Sequence, residues 1–242
     1  MSEKIKCAHC KHRLAKRICG CPESPMHNQQ IDMLDSCDFF VQNPAQPLYS
    51  EGLAAHALIG AGNEEMETEA IEKLETAIRI GLPEDDEAYA RFTYGLNRFK
   101  RGYKYAPGGI DHPDFSRGAE QMEKAILMDS QGGYGIFSDP DHKAQLVYLA
   151  AAYIAEKDSI RQQKGIEAAI AYVEEKLHLF DYLSSPPLLL LQVLGELYSD
   201  KGNKEMAQQT YTRILQTPSS QADGELDADV RKGAKLQLQE LD

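Results

Sequence analysis

Five cysteines are the residues whose type and spacing most clearly permit chemistry, and all of them precede residue 38. Their spacing is C-x2-C-x8-C-x-C-x15-C, and the first pair forms a CxxC turn that can present two thiolates from one short loop. Cysteines clustered in this way in a reducing compartment are typical of metal binding rather than of disulfides. We therefore predict one zinc site in residues 1–45, with ligands drawn from Cys7, Cys10, Cys19, Cys21 and Cys37.

A structural zinc ion takes four ligands in a tetrahedron, so one of the five cysteines is in excess. The favoured set is Cys7, Cys10, Cys21 and Cys37, with Cys19 in reserve. The segment is too short for a self-sufficient hydrophobic core, so metal binding would supply its folding free energy. The segment resembles a zinc ribbon or a rubredoxin-like knuckle, and the resemblance implies a small metal-stabilised module.

Three other interpretations of this segment remain open. An iron–sulfur cluster also uses four cysteines. A redox-active CxxC needs a helix that begins after a strand, and Lys11-His12-Arg13 does not supply that context. Nucleic acid could contact six basic residues, but no aromatic residues interleave with them, which favours a solvated surface. The basic residues are Lys4, Lys6, Lys11, Arg13, Lys16 and Arg17, and the nearby His9, His12 and His27 are interpreted as solvated or as orienting a ligand.

The composition limits the class of protein. The chain has 242 residues, 42% of them hydrophobic, and it lacks a run of about 18 apolar residues that could span a membrane. The first residues carry no apolar stretch typical of a secretory signal, so we expect a cytoplasmic protein. The net charge of −12 argues against nucleic acid as the main partner, although residues 1–25 carry a net +4 from six Lys/Arg and two Asp/Glu.

Residues 188–218 show the clearest helical pattern in the rest of the chain. An apolar stripe at i, i+3, i+4 and i+7 predicts one helix, Lys201-Gly202-Asn203 breaks it, and a second stripe ends before Pro218. The first stripe is Leu191, Leu194, Gly195 and Tyr198, and the second is Ala207, Tyr211 and Ile214. This helix pair resembles the tetratricopeptide repeat. The small Gly195 and Ala207 are predicted to lie where the two helices cross closely.

Three earlier segments show related patterns, in residues 51–82, 85–130 and 141–180, and residues 229–241 form an amphipathic helix suited to cap the array. We predict an all-α protein, an α-solenoid of tetratricopeptide-like helix pairs (residues 46–242) behind the metal module (residues 1–45). Residues 40–50 are expected to be a linker and residues 101–115 a long surface loop. The third pair is assigned Leu146, Leu149, Ala150 and Tyr153 on its first helix and Ala168 and Tyr172 on its second.

The resemblance implies a scaffold that binds a protein or peptide partner in a groove lined by the first helix of each pair. No catalytic triad, phosphate-binding loop or carboxylate pair is recognisable, so we predict a non-enzymatic adaptor. The alternatives are a metal-dependent or redox protein that uses the cysteines, and a regulator that contacts nucleic acid through the basic segment. The predicted groove positions are Ala144, Val147, Ala151 and Ile154 in the third pair and Leu189, Gln192, Glu196 and Asp200 in the fourth, continued by Thr93, Asn97, Lys100 and Arg101 in the second.

Overall fold

The computed structural model describes residues 9–24, 26–31, 41–60, 62–105, 112–183, 185–218 and 224–241. These residues are mostly helical, and the prediction of an all-α protein is confirmed. The helices, in chain order, are α1 (Ala45–Gly60), α2 (Met66–Ile80), α3 (Glu84–Tyr105), α4 (Pro113–Gly132), α5 (Pro140–Ala144), α6 (Leu146–Lys164), α7 (Ile166–His178), α8 (Leu188–Asp200), α9 (Lys204–Gln216) and α10 (Gly224–Leu241).

A small antiparallel ladder precedes the helices. Strand β1 (Arg13–Leu14) pairs with β2 (Ile18–Cys19), and a 3₁₀ turn joins them. Isolated bridges add Gln30 beside β2 and pair Cys10 with Gln42. The cysteine segment, the part of residues 1–45 that carries the cysteines, is therefore paired with the residues that lead directly into α1.

The chain packs as two compact units. Unit 1 comprises Met1–Pro107 and Arg117–Tyr134, and unit 2 comprises Gly108–Ser116 and Gly135–Asp242. Unit 1 thus contains the cysteine segment together with α1, α2, α3 and residues 117–132 of α4. The domain boundary at residues 45 and 46 stays a prediction.

Close helix packing in unit 1 depends on glycines. A Cβ added to Gly52 of α1 would lie 2.8 Å from the Leu74 side chain of α2. Helices α3 and α4 approach still more closely, because a Cβ on Gly95 would lie 2.7 Å from the Gly118 carbonyl oxygen. Reciprocally, a Cβ on Gly118 would lie 2.6 Å from the Gly95 oxygen, so backbone meets backbone at this crossing.

The same turn ends the first helix of two hairpins. Gly62 and Gly202 have φ angles of +96° and +81°, which glycine adopts without steric cost. The following amide N–H donates to the carbonyl five residues earlier, at 3.0 Å from Asn63 and 2.9 Å from Asn203. This pattern is the Schellman motif. The predicted break at Lys201-Gly202-Asn203 is confirmed, and Gly62-Asn63 ends α1 in the same way.

Unit 2 carries its core on the predicted stripes. Leu146, Leu149, Ala150 and Tyr153 of α6 are buried, and so are their counterparts Leu191, Leu194, Gly195 and Tyr198 of α8. On α9, Ala207, Tyr211 and Ile214 are fully covered. The predicted final helix is also confirmed, since α10 packs on α8 and α9 and buries Val230 and Ala234.

Two predicted irregular segments are partly helical. The linker expected at 40–50 contains the first turns of α1, because the Asn43 side chain accepts a hydrogen bond from the Ala45 amide (2.9 Å) and Pro47 occupies the first turn. Proline is tolerated there. Of the loop expected at 101–115, residues 101–105 continue α3 and residues 113–115 begin α4, so the loop prediction is wrong at both ends.

The assignment of Ala168 and Tyr172 to the core stripe of α7 is wrong by one residue. Ala169 and Val173 are fully buried instead, while Ala168 and Tyr172 are half-buried. This pair has more residues between its two core stripes than the fourth pair has. The extra residues lengthen α6, and the turn to α7 is Gly165 alone.

No helix in the described ranges is both long enough and apolar enough to cross a membrane.

Candidate functional site

An open, mainly apolar cavity with a volume of about 180 Å³ lies in unit 2. Its lining comes from α5, α6 and α8, from the residues before α8 and from the start of α10. Three of the predicted groove positions, Ala144, Val147 and Leu189, meet there. The remaining apolar lining is Leu146, Leu188, Leu226, Pro186 and Pro187. We call this cavity the α10 pocket.

Local sequence signals place the walls of the α10 pocket. Asp139 caps α5 by accepting hydrogen bonds from the Asp141 (2.8 Å) and His142 (3.4 Å) amides, and Pro140 follows at the first helical position. Pro186 and Pro187 end the preceding segment, and Pro187 is the cap residue of α8. The pocket therefore lies where the end of α5 and the starts of α6 and α8 meet the first turn of α10.

The α10 pocket is apolar and open to solvent. Leu226 is 45% exposed, which is high for a leucine, while Val147 and Leu189 are half-buried. Its charged lining consists of Lys143 from α5 and Asp227 from α10, and the Asp227 carboxylate lies 3.9 Å from the Arg231 guanidinium. An apolar wall that remains accessible between two charges of opposite sign is suited to a ligand side chain.

The other predicted groove positions lie elsewhere on α6 and α8. Ala151 is exposed and Ile154 is half-buried. Gln192 donates a hydrogen bond to Glu196 (2.9 Å), and Asp200 forms an ion pair with Arg161 (2.8 Å). The polar positions of the fourth pair are thus partly satisfied within unit 2.

The predicted continuation of the surface in unit 1 is wrong at two positions. Thr93 and Asn97 are only 2% exposed, because α1 covers this face of α3 and His56 Nδ1 lies 2.8 Å from Asn97 Oδ1. Lys100 and Arg101 are half-buried. Desolvation lowers the pKa of Lys100. Sequence spacing alone did not show that two polar residues would be covered.

A second concavity, of about 410 Å³, lies among α7, α8 and α9 and was not predicted from the sequence. Glu174 and His178 line it from α7, together with Asp181 beyond the end of that helix. Their i, i+4 and i+7 spacing is the signal that could have indicated a shared face. The Tyr198 hydroxyl donates a hydrogen bond to Glu174. Burial, and to a smaller extent this hydrogen bond, raises the pKa of Tyr198 to about 12.

The described cysteines are all buried free thiols. Cys10, Cys19 and Cys21 are 6%, 7% and 2% exposed, whereas Cys7 and Cys37 lie outside the described residues. Among the described residues, Cys19 and Cys21 pack with Ile31 and with the partly buried Met26. Desolvation raises the pKa of the Cys21 thiol, which donates a hydrogen bond to Glu23 (3.3 Å).

No three His, Cys, Asp or Glu side chains among the described residues are grouped so that they could hold a metal ion. Two of the four favoured ligands, Cys7 and Cys37, lie outside the described residues. Cys10 and Cys21, the other two members, are buried.

Arg13 links the cysteine segment to α3 through ion pairs that were not predicted from the sequence. Its guanidinium forms ion pairs with Asp85 (2.7 Å) and with Asp86, and the side chain is only 6% exposed. Asp85 also accepts a hydrogen bond from the Lys16 amide (3.1 Å), and Asp86 accepts one from Gln46 (2.7 Å). The acidic start of α3 thus holds Arg13, which removes this residue from the set that could contact nucleic acid.

Comparisons of the chain with protein-family models, with curated proteins and with solved structures gave no match.

Proposed function

We propose that this protein is a non-enzymatic adaptor that binds a peptide segment of a protein partner along the first helices of the unit 2 hairpins. The observation that carries the proposal is the α10 pocket, where Ala144, Val147 and Leu189 line one open apolar cavity. Interfaces depend on a few buried anchors, and such a cavity can receive one. The acidic Glu196 farther along α8 suits a basic end of the same peptide.

The helical hairpins are proposed to be tetratricopeptide-like units. Two features support this interpretation. The core stripes of α6 and α8 have the same spacing, and Gly195 of α8 lies directly against the Tyr211 ring of α9. Units of this kind bury their cores between neighbouring helices and leave one helix face available to a ligand.

A structural zinc ion in the cysteine segment completes the proposal. Cys7, Cys10, Cys21 and Cys37 are the proposed ligands, with Cys19 in reserve. The burial of Cys10 and Cys21 supports it, because a segment this short needs a source of stability besides apolar burial. A cytoplasmic location stays a prediction.

The adaptor function is tested with a displayed library of random 12-residue peptides selected on the immobilised full-length protein. Peptides that survive selection are synthesised, and their Kd values are measured by calorimetry. Val147→Glu should weaken binding at least tenfold, because it places a carboxylate in the apolar cavity. Glu196→Lys should weaken the binding of peptides that have a basic end. Ala171→Glu, on the exposed face of α7, is the matched control.

Every variant must first show the helical circular dichroism and the melting behaviour of the parent protein. Unchanged affinity in both Val147→Glu and Glu196→Lys would contradict binding along these helices. Equal losses in Val147→Glu and in Ala171→Glu would also contradict it, since the effect would then come from charge alone.

A further inference from the structure

The second and third turns of α10 pack on unit 2, and its first turn lies beside the α10 pocket. Val230 and Ala234, one and two turns later, are 3% and 0% exposed against the neighbouring helices. Arg231 donates hydrogen bonds to the carbonyl oxygens of Ile214 (2.9 Å) and Thr217 (2.8 Å) at the end of α9. The positions of Leu226 and Asp227 on the pocket wall therefore follow from the packing of the capping helix.

The size of the α10 pocket limits what it can hold. Its volume of about 180 Å³ lies below the roughly 300–1,000 Å³ of pockets that take cofactors or drug-sized ligands. Its lining is mainly leucine, valine, alanine and proline. A single large aliphatic or aromatic side chain fits both the size and the chemistry.

The acidic residue that α10 contributes to the pocket lining is Asp227, whose carboxylate lies 3.9 Å from the Arg231 guanidinium and whose side chain is 15% exposed. Unit 2 as a whole has 11 Lys/Arg and 19 Asp/Glu, a net charge of −8. Lys143 supplies the only cation in the described lining, and it belongs to α5 rather than α10. Complementary charge therefore places a basic ligand group on the α10 side.

We infer that the first turn of α10 determines the specificity of the proposed binding site. The occupant is a peptide that inserts one large apolar side chain against Leu226 and places an adjacent Lys or Arg beside Asp227. This inference rests on the proposed function and adds the partner's local sequence chemistry to it. It also gives α10 a role in recognition besides its role as a cap.

The test uses one selected peptide and two derivatives, with the apolar anchor changed to alanine in one and the basic neighbour changed to glutamate in the other. On the parent protein, each derivative should bind at least tenfold more weakly. Asp227→Lys should reverse the preference between the basic and the glutamate peptide. Asp229→Lys, which makes the same charge change two residues farther along α10 at an exposed position, should keep the parent preference.

Two further variants keep the test decisive. Leu226→Ala should weaken binding of the parent peptide. It should also reduce the loss of affinity that follows when the peptide's anchor is changed to alanine. If Asp227→Lys disturbs the Arg231 contacts and fails to fold, Asp227→Asn keeps the shape of the side chain and should remove the preference for the basic peptide.

The inference is overturned if Asp227→Lys and Asp229→Lys shift the preference equally, or if Leu226→Ala and Asp227→Asn leave binding unchanged while Val147→Glu abolishes it. In the second case the adaptor function stands and only the role of α10 fails. If no selected peptide responds to Val147→Glu or Glu196→Lys, the proposed function itself fails.

Discussion

Gly195 of α8 lies so close to the ring of Tyr211 on α9 that an added Cβ would be 2.6 Å from ring carbon Cε1. Tyr211 is fully buried, so a shift of its ring would disturb the packing around it, and α8 and α9 pack along each other. The sequence pattern anticipated a close crossing at Gly195, and the structure identifies its partner.

Gly195→Ala should therefore destabilise the protein even though alanine is the better helix former. Overpacking a buried site costs about 1–3 kcal/mol, which exceeds the gain of about 1 kcal/mol from helix propensity. Gly233→Ala on α10 is the matched control, because only Gln192 Nε2 lies within 4 Å of its added Cβ, at 3.9 Å. Chemical denaturation should show a loss for Gly195→Ala and a gain for Gly233→Ala, and a gain in both would show that the helix crossing is misplaced.

Arg13→Ala should destabilise unit 1 through the loss of its ion pairs with Asp85 and Asp86. Breaking a buried ion pair typically costs about 3–5 kcal/mol, and we expect the lower end because both carboxylates retain some exposure. Arg17→Ala removes an exposed arginine from the same segment and should change stability by less than about 0.5 kcal/mol. Equal effects in urea denaturation would mean that the cysteine segment is not fastened to α3.

The raised pKa of Tyr198, about 12, predicts a loss of stability at alkaline pH. The unfolded chain releases the phenolic proton near its ordinary pKa of about 10, whereas the folded protein retains it. The contribution is therefore complete below about pH 10 and is lost as the pH rises toward 12. Tyr198→Phe should lose less stability than the parent between pH 9 and pH 11 in urea denaturation.

Tyr103→Phe, at a side chain that is 57% exposed, serves as the control for this pH effect. It should keep the parent's alkaline loss. An identical pH dependence in the parent and Tyr198→Phe would contradict the desolvation of Tyr198.

Metal analysis tests the proposed zinc site. The purified protein should contain about one equivalent of zinc and show no visible absorption. Cys7→Ser, Cys10→Ser, Cys21→Ser and Cys37→Ser should each lose the metal, whereas Cys19→Ser should retain it. A brown protein with iron–sulfur absorption, or retention of zinc by Cys37→Ser, would contradict the favoured ligand set.

Sequence periodicity was sufficient to predict the helical class and most core positions of α6, α8 and α9. These positions follow from a 3.6-residue repeat, which depends only on local geometry. Ala168 and Tyr172 were misassigned because the extra residues before them lengthen α6 by continuing its backbone hydrogen bonds, a choice that the apolar spacing does not reveal. Pro47 suggested a linker because proline excludes a helix interior, but it equally suits a helix start.

The candidate site was only partly predictable. Ala144, Val147 and Leu189 could be placed on accessible helix faces from their spacing, but the contribution of Leu226 and Asp227 depends on how α10 packs back on α8 and α9. The contact of Arg13 with Asp85 likewise joins residues 72 positions apart. Such contacts arise from tertiary packing, and no local pattern encodes them.

The most direct measurement of the central claim is a photo-crosslink from the ligand's anchor. The apolar anchor of a selected peptide is replaced by photoleucine, which keeps the size of leucine, and cross-linked residues of the full-length protein are identified by mass spectrometry. We predict attachment within the α10 pocket, at Leu146, Val147, Leu188, Leu189 or Leu226. Attachment to residues of the α7–α9 concavity, such as Leu194 or Met206, or to any residue of unit 1 would contradict the account.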